Sequence, residues 1–340
     1  MLKYIIKRVL WMIPVLLGVV LIVFTISYFT PGDPVEILLS NSNLSQEDYD
    51  AQYAALQQKM GLDKGFVPQY VNYVKNIVLH GDFGTSYTYG LSVGAEMRSR
   101  LWVSIKLGLI SMILSLIIGI GFGLISATKQ YSIADYSVTL LSMFFAAAPG
   151  FWLAMMLILL FSVKLNWLPA SGLNSWRHYI LPIVSMTMAT LAGNTRMTRS
   201  SVLEVIRQDY IRTARAKGLR EGVIIWKHAL RNALIPVITI SGVGLGMLFG
   251  GSVIIENVFN IAGMGTYLLK GINNRDYPIV LGVVLVLSAC VCMANLIIDL
   301  CYAFVDPRIR AQYESPKRKQ RRLEKQLAEA ERTEGGGVNG

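Results

Sequence analysis

The amino-acid sequence predicts an all-α integral membrane protein with six transmembrane helices. Of its 340 residues, 53% are hydrophobic and only 16% are charged, whereas a soluble domain of average composition carries about a quarter charged residues. The apolar residues form long uncharged blocks, and the Lys and Arg residues behind the net charge of +11 lie mostly between these blocks. These features exclude an ordinary soluble enzyme and a disordered chain. They also indicate that the excess of Lys and Arg sets the orientation of the protein in the membrane and does not serve nucleic-acid binding.

Six blocks are predicted to span the membrane, because an uncharged stretch of about 18 residues crosses the hydrocarbon core as a helix. They cover residues 9–29, 107–128, 137–163, 178–197, 232–255 and 277–303. The fourth block is the weakest and contains Pro182, while Pro149 and Pro236 are expected to kink the third and fifth. Residues 1–29 are interpreted as a retained anchor with its N-terminal flank, since no small-residue cleavage site follows the apolar block.

Basic residues predict the orientation of these helices, because Lys and Arg accumulate in cytoplasmic loops. Lys3, Lys7 and Arg8 precede the first helix, and further basic residues concentrate in the loop 198–231 and in the tail 306–340. The short loops on the opposite side carry few of them. Both termini are therefore predicted to be cytoplasmic, with residues 30–106 outside the membrane on the far side.

The segment 30–106 is predicted to form a small extracytoplasmic subdomain. Pro31 to Pro34 should end the first helix, because proline lacks a backbone donor and disfavours helix in the residue before it. Ser45 is placed to cap a helix that runs to Met60. A second helix is predicted over residues 67–79, before the glycines of residues 81–84 break the chain.

No catalytic or metal-binding constellation is visible in the sequence. The histidines His80, His178 and His228 fall on different sides of the membrane or at helix ends, and the three cysteines border one apolar segment without metal-ligand spacing. A P-loop motif for ATP is absent as well. We therefore expect a protein that is not an enzyme and that holds no cofactor and no metal.

Few ionisable groups fall within or beside the predicted spans. Lys106 and Asp299 lie within about a turn of a span end, and Asn194 and Asn295 are expected to bond neighbouring helices. Glycines in the second and fifth spans are interpreted as positions of close helix approach. The lack of a chain of intramembrane acids argues against a proton-driven carrier.

The most informative segment is the loop from Asp209 to Leu219. Asp209 is predicted to cap a short helix that begins at Tyr210, and Gly218 is placed to end it. Small residues alternate with Arg and Lys along this segment, which fits a close-approach surface for a cytoplasmic partner. The alternative is a solvated basic connector that only follows the positive-inside rule.

Several motifs resemble the permeases of ABC importers, in the branch that imports oligopeptides, dipeptides and nickel. The resemblance rests first on the loop that this family calls the EAA loop, which here consists of Asp209, Tyr210, Ile211, Arg212, Thr213, Ala214, Arg215, Ala216, Lys217, Gly218 and Leu219, followed by residues 228–233 and Pro236. It extends to residues 31–34, 81–86, 274–277 and 305–310. Arg212 replaces the Glu of the general loop and Arg231 replaces a Pro, and both replacements are usual in the peptide branch.

The resemblance implies a type I ABC importer permease fold, with a permease core over residues 97–305. Residues 209–219 would form a coupling helix that rests in a cleft of an ATPase subunit, and bulky residues at Gly218 or Ala214 would uncouple ATP hydrolysis from transport. Implied partners are a second homologous permease, two ATPase subunits that bind the ATP, and an extracytoplasmic substrate-binding protein or lipoprotein. The implied location is a bacterial plasma (inner) membrane.

The resemblance implies peptides as the substrate, with nickel and glutathione-like tripeptides as alternatives. An ion-coupled secondary carrier remains a further alternative, and the sequence assigns no residues to the substrate path. Residues 315–334 of the tail are predicted to form a short helix that is attracted to anionic membrane lipid. Contact of this tail with an ATPase subunit is the alternative.

Overall fold

The computed structural model describes residues 2–39 and 45–305. Within these ranges the regular secondary structure is helical, apart from one isolated antiparallel bridge between Thr85 and Ser92. The helices are α1 Leu2–Phe29, α2 Pro34–Leu39, α3 Gln46–Met60, α4 Phe66–His80, α5 Val93–Thr128, α6 Ile133–Ala147, α7 Gly150–Leu157, α8 Ile180–Ile206, α9 Asp209–Ala216, α10 Glu221–Val223, α11 Leu230–Val258, α12 Met264–Asn273 and α13 Tyr277–Val305. The predicted tail helix and most of the motif at 305–310 lie outside the described residues.

Three helical segments are long and apolar enough to cross a membrane, namely Ile5–Phe29, Val93–Thr128 and Tyr277–Ile298. A fourth candidate is the pair Ile133–Ala147 and Gly150–Lys164, which is bent by 104°. The long helices α8 and α11 do not meet this criterion among the described residues. The count of six spans therefore stays a prediction.

The bend between α6 and α7 is much larger than the kink predicted for a continuous helix over 137–163. Ala148 adopts an extended backbone with ψ 128°, as expected for a residue before proline. Pro149 has no N–H to continue the helical ladder, so a new helix begins at Gly150. The third predicted span is thus two helices with different directions.

α8 contains many buried polar side chains, including Ser185, Thr187, Asn194, Thr195 and Thr198. Asn194 donates to Ser115 Oγ of α5 at 2.9 Å and accepts from Ser241 Oγ of α11 at 2.9 Å. This confirms the role predicted for Asn194 in joining helices, whereas Asn295 is exposed.

Two glycines allow α5 to approach α8 closely. A Cβ atom at Gly119 would lie 2.7 Å from Asn194 Cβ, and one at Gly123 would lie 2.4 Å from Thr198 Cβ. A Cβ at Gly121, on the same helix, would meet no heavy atom within 4 Å. Close packing through small residues is the usual device for helix association in lipid.

α12 is attached to α5 and α11 through Glu256, which is fully buried. Its carboxylate accepts hydrogen bonds from Ser104 Oγ of α5 at 2.6 Å and from the backbone N–H of Gly265 at 2.6 Å. The carboxylate therefore lies at the N-terminal end of α12, where the helix dipole favours negative charge. A Cβ at Gly263 would lie 2.4 Å from this carboxylate.

The segment between α1 and α5 has the local structure that the sequence predicts. Ser45 caps α3 and accepts from the Asp48 N–H, and Gly81 ends α4 in the left-handed conformation. Neither α3 nor α4 contains a buried residue. Tyr53 of α3 donates a hydrogen bond to Asp33, and this bond raises the pKa of Tyr53 to about 12.

α4 rests on α1 through aromatic and polar contacts. The Phe66 and Phe24 rings lie 5.1 Å apart in an edge-to-face arrangement, and Tyr70 Oη donates to the Leu17 carbonyl at 3.1 Å. Such aromatic pairs contribute about 0.5–1.5 kcal/mol beyond the area they bury. The segment is therefore held by its contacts with α1.

We expect Gly123→Ala to lower the stability of the protein, because the added methyl forces α5 and α8 apart. Overpacking of this kind costs about 1–3 kcal/mol. Thermal unfolding in lipid nanodiscs measures the effect, with Gly121→Ala as the matched control that should leave the midpoint unchanged or raise it. Equal midpoints for the two variants would contradict the close packing of α5 on α8.

Candidate functional site

The loop between α8 and α11 carries a short helix, α9, of the predicted length. The sequence predicted that Asp209 caps this helix, and this prediction is wrong. Gln208 has the extended backbone of the cap, and Asp209 is the first helical residue. The Asp209 side chain is exposed and faces Arg212 at 3.7 Å. Gly218 adopts φ +77° just after the helix, which confirms its predicted role in ending it.

One face of α9 is packed against the protein's own core. Ile211 is fully buried and Ala214 is 8% exposed, and both pack against Ile224 and Ala229 of the following segment. Ile211 and Ala214 were both predicted to belong to the segment that contacts the partner. The structure corrects this prediction, because positions three residues apart share a helix face and Ile211 turns that face inward.

The other face of α9 and the turn after it are exposed to solvent. We call this face the α9 surface; its members are Asp209, Tyr210, Arg212, Thr213, Arg215, Ala216, Lys217, Gly218 and Leu219. It combines basic side chains with small ones. Basic residues surrounding a small-residue patch can bind an acidic, concave partner surface closely.

The α9 surface is fixed to the rest of the chain at both ends. Arg215 forms an ion pair with Glu221 of α10 at 2.7 Å, and Asn232 of α11 donates to Tyr210 Oη at 2.7 Å. A π-helical turn, Ile224–Ala229, connects α10 to α11. Because α9 is anchored by buried and polar contacts, it can move together with the ends of α8 and α11.

Three of the sequence motifs meet at a second site, which we call the Asp276 junction. Asp276 is fully buried and accepts from Ser86 Oγ at 2.6 Å and from the Thr88 N–H at 3.0 Å. A Cβ at Gly32 would lie 2.1 Å from the Arg275 guanidinium, so the turn after α1 is packed on this residue. The junction therefore ties residues 30–92 to the start of α13.

An ion pair that the sequence did not predict lies between α6 and α8. Arg199 of α8 donates to both carboxylate oxygens of Asp135, at 2.9 Å each, and Ser126 Oγ also donates to Asp135. Both charged residues fall just outside the predicted spans, which is why they were not singled out. Their pairing joins the start of α6 to the last third of α8.

Comparisons with known proteins match this architecture. Residues 119–311 match the family described as "Binding-protein-dependent transport system inner membrane component". Residues 1–106 match its N-terminal companion, described as "Binding-prot-dependent transport system membrane comp, N-term". The chain therefore belongs to the family of inner membrane components of binding-protein-dependent transport systems.

Relatives cover nearly the whole chain. It is 41% identical to the oligopeptide transport system permease protein AppB of Bacillus subtilis (strain 168), over 91% of this chain and 99% of that protein. It is 39% identical to the glutathione transport system permease protein GsiC of Escherichia coli (strain K12), over 91% of this chain and 99% of that protein. It is 37% identical to the dipeptide transport system permease protein DppB of Alkalihalophilus pseudofirmus, over 91% of this chain and 100% of that protein.

The fold is similar to that of an ABC importer of known structure. An inward-facing structure of the MetNI methionine ABC transporter covers 62% of this chain and 97% of the matched chain, with a TM-score of 0.54 and 20% identity. The chain is thus an all-helical, multi-pass permease subunit of a binding-protein-dependent ABC importer. As such it works with an ATPase and a binding protein and has no ATPase activity of its own.

We expect Ala214→Leu to destabilise the attachment of α9, because the larger side chain has no room between α9 and Ile224. The cost of such overpacking is about 1–3 kcal/mol. Limited proteolysis of the purified subunit should cut residues 207–220 faster in this variant. The control Ala216→Leu changes an exposed position of the same helix and should be cut at the wild-type rate; a wild-type rate for Ala214→Leu would contradict the inward orientation of Ala214.

We expect Asp276→Ala to loosen the segment between α1 and α5, because it leaves the Ser86 hydroxyl and the Thr88 N–H without their acceptor. Hydrogen bonds to a charged group contribute about 1.5–3 kcal/mol each. Hydrogen exchange of residues 84–92 should become faster. Asp82→Ala removes an exposed carboxylate that, among the described residues, accepts a hydrogen bond from the nearby Gly84 N–H, and exchange should change much less in this control. Similar exchange in both variants would show that the Asp276 junction does not hold the segment.

Proposed function

We propose that the chain forms half of the translocation pathway of an importer for short peptides. The relatives carry names for oligopeptide, dipeptide and glutathione transport, and all three kinds of cargo contain peptide bonds. The other half of the pathway would come from a second, homologous permease. Peptides would be delivered by an extracytoplasmic binding protein or lipoprotein.

The proposed topology has six spans with both termini in the cytoplasm. The spans would be α1, α5, the bent α6–α7 pair, α8, α11 and α13. The distribution of Lys and Arg supports this orientation. Residues 30–106 would then face the binding protein, and residues 306–340 would form a basic cytoplasmic tail near anionic lipid.

The α9 surface is proposed to dock into a cleft of an ATPase subunit. The single observation that carries this proposal is a solvent-exposed face of small and basic residues on a helix whose other face is buried in its own chain. A movement of the docked surface would also move α8 and α11, because the buried face of α9 packs against the end of α8 and against the turn that leads into α11. Closure of two ATPases on ATP would then shift the permease between its inward- and outward-open states.

The transport proposal is tested by reconstituting the chain with its binding protein, second permease and two ATPases in proteoliposomes. We expect uptake of peptides from a casein digest, quantified by mass spectrometry, only when ATP and the binding protein are both present. Binding assays on the isolated binding protein with dipeptides, longer peptides, glutathione and Ni²⁺ then identify the cargo. Uptake by the isolated chain in response to an ion gradient would contradict the proposal.

We expect Ala216→Trp to uncouple the importer, because the indole would keep α9 from seating in a close-fitting cleft. Peptide uptake should fall more than about tenfold, in line with the coupling energies that link distant sites, while the ATPase subunits still hydrolyse ATP. Thermal unfolding should not change, since Ala216 is exposed.

The control for this variant is Lys129→Trp, which places an indole on the exposed loop between α5 and α6. This change should leave both uptake and ATP hydrolysis at the wild-type level. Wild-type uptake in the Ala216→Trp importer would contradict the docking of α9 on an ATPase.

A further inference from the structure

A groove of about 700 Å³ lies between α6 and the last third of α8. From α8 it is lined by Thr195, Arg196, Arg199, Ser200, Leu203 and Glu204, and Arg207 and Gln208 just after the helix complete this wall. These positions recur every three or four residues, so they form one stripe along the helix. We call this space the polar groove.

The stripe differs from the face of α8 that packs on α5 and α11. On the packed face the buried polar groups are paired, as Asn194 is with Ser115 and Ser241. Thr198 Oγ1 likewise donates to the Asn194 carbonyl at 2.8 Å. The packed face therefore needs no further partner.

In the polar groove, buried hydroxyls have no partner among the described residues. The Ser142 hydroxyl of α6 and the Thr195 hydroxyl of α8 are both unpaired, and each residue is 2% exposed. Buried polar atoms almost always bond to protein, water or ligand. Both residues line the groove, so we expect their hydroxyls to form hydrogen bonds with water or with a polar solute.

Charged side chains of both signs line the same space. Arg199 is paired with Asp135, whereas Arg196, Glu204 and Arg207 take part in no salt bridge among the described residues. Arg199, Glu204 and Arg207 lie beyond the predicted span 178–197, and ionisable residues at the end of a membrane helix face water or a polar cavity rather than lipid. A lining with free positive and negative groups fits a zwitterion better than an apolar solute.

We infer that the polar groove is this chain's wall of the translocation pathway near the α9 end of α8, and that it accepts a short zwitterionic peptide. Arg196 contacts the peptide carboxylate, and Glu204, about two helical turns further along α8, contacts its ammonium group. The volume lies in the range of about 300–1,000 Å³ that small-molecule sites occupy. This inference rests on the proposed function and names residues for its pathway.

The first test asks whether the polar groove contains water. In a background with Cys290→Ser, Cys292→Ser and Cys301→Ser, the variants Thr139→Cys and Ser200→Cys place a thiol on each wall of the groove. The complete importer in nanodiscs is treated with sulfonatoethyl methanethiosulfonate, which reacts with hydrated thiolates. We expect both variants to react at least about tenfold faster than the matched control Leu140→Cys, because a thiol ionises in water and not in lipid.

Leu140 is a suitable control because it follows Thr139 on α6 and its side chain is 67% exposed, outside the groove. Slow reaction of all three variants, with and without ATP and vanadate, would overturn the inference, since the groove would then be dry. Fast reaction of the groove variants only in nanodiscs that lack phosphatidylglycerol would also overturn it. That result would show that an anionic lipid headgroup occupies the groove.

The second test asks whether the polar groove lies on the pathway. Modification of the Ser200→Cys importer should reduce uptake of the casein peptides at least about tenfold, because the added sulfonate fills the groove and competes for its arginines. Unchanged uptake after complete modification would overturn the inference. Failure of the wild-type importer to take up any peptide would count against the proposed function instead. The thiol reactivity of the groove variants separates that failure from a dry groove.

Discussion

The close contact between α5 and α8 is the constraint on which the rest of the structure depends. Gly119 and Gly123 remove the side chains that would keep the two helices apart. The resulting distance brings Ser115 within hydrogen-bonding reach of Asn194. Without this contact, a helix with as many polar groups as α8 would bury unpaired groups, and each would cost free energy.

Because one face of α8 is fixed against α5, the directions of its other faces are fixed as well. The opposite stripe is left facing α6 across the polar groove, and the Asp135–Arg199 pair joins the two helices. The end of α8 also packs on the buried face of α9, through Val205 and Ile206. In the proposed mechanism a movement of α9 therefore reaches the walls of the groove along a single rigid helix.

Local features were predictable from the sequence because local residues cause them. The cap at Ser45, the end of α4 at Gly81 and the end of α9 at Gly218 each depend on one side chain or one glycine conformation. The role of Asn194 in joining helices followed from its place within a span. Family motifs in the sequence also identified the class of transporter, which the comparisons confirm.

Features that depend on distant partners were missed. Ala214 faces inward because of Ile224, and the Asp276 junction joins residues about 190 positions apart in the chain. Asp135 and Arg199 lie outside the span limits that hydropathy predicts, so hydropathy gave no reason to expect their ion pair. The break at Pro149 was read as a kink, because sequence alone does not show whether neighbouring contacts keep a helix continuous across a proline.

The central claim is that the α9 surface, and not its buried face, contacts an ATPase subunit. The most direct measurement places the photo-crosslinker benzoylphenylalanine at Thr213 in the assembled importer, with the same substitution at Lys129 as a control. The account predicts a crosslink from position 213 to an ATPase subunit, with a yield that changes when ATP and vanadate are added, and none from position 129. An assembled, transporting complex that gives no crosslink from position 213 to an ATPase would contradict it.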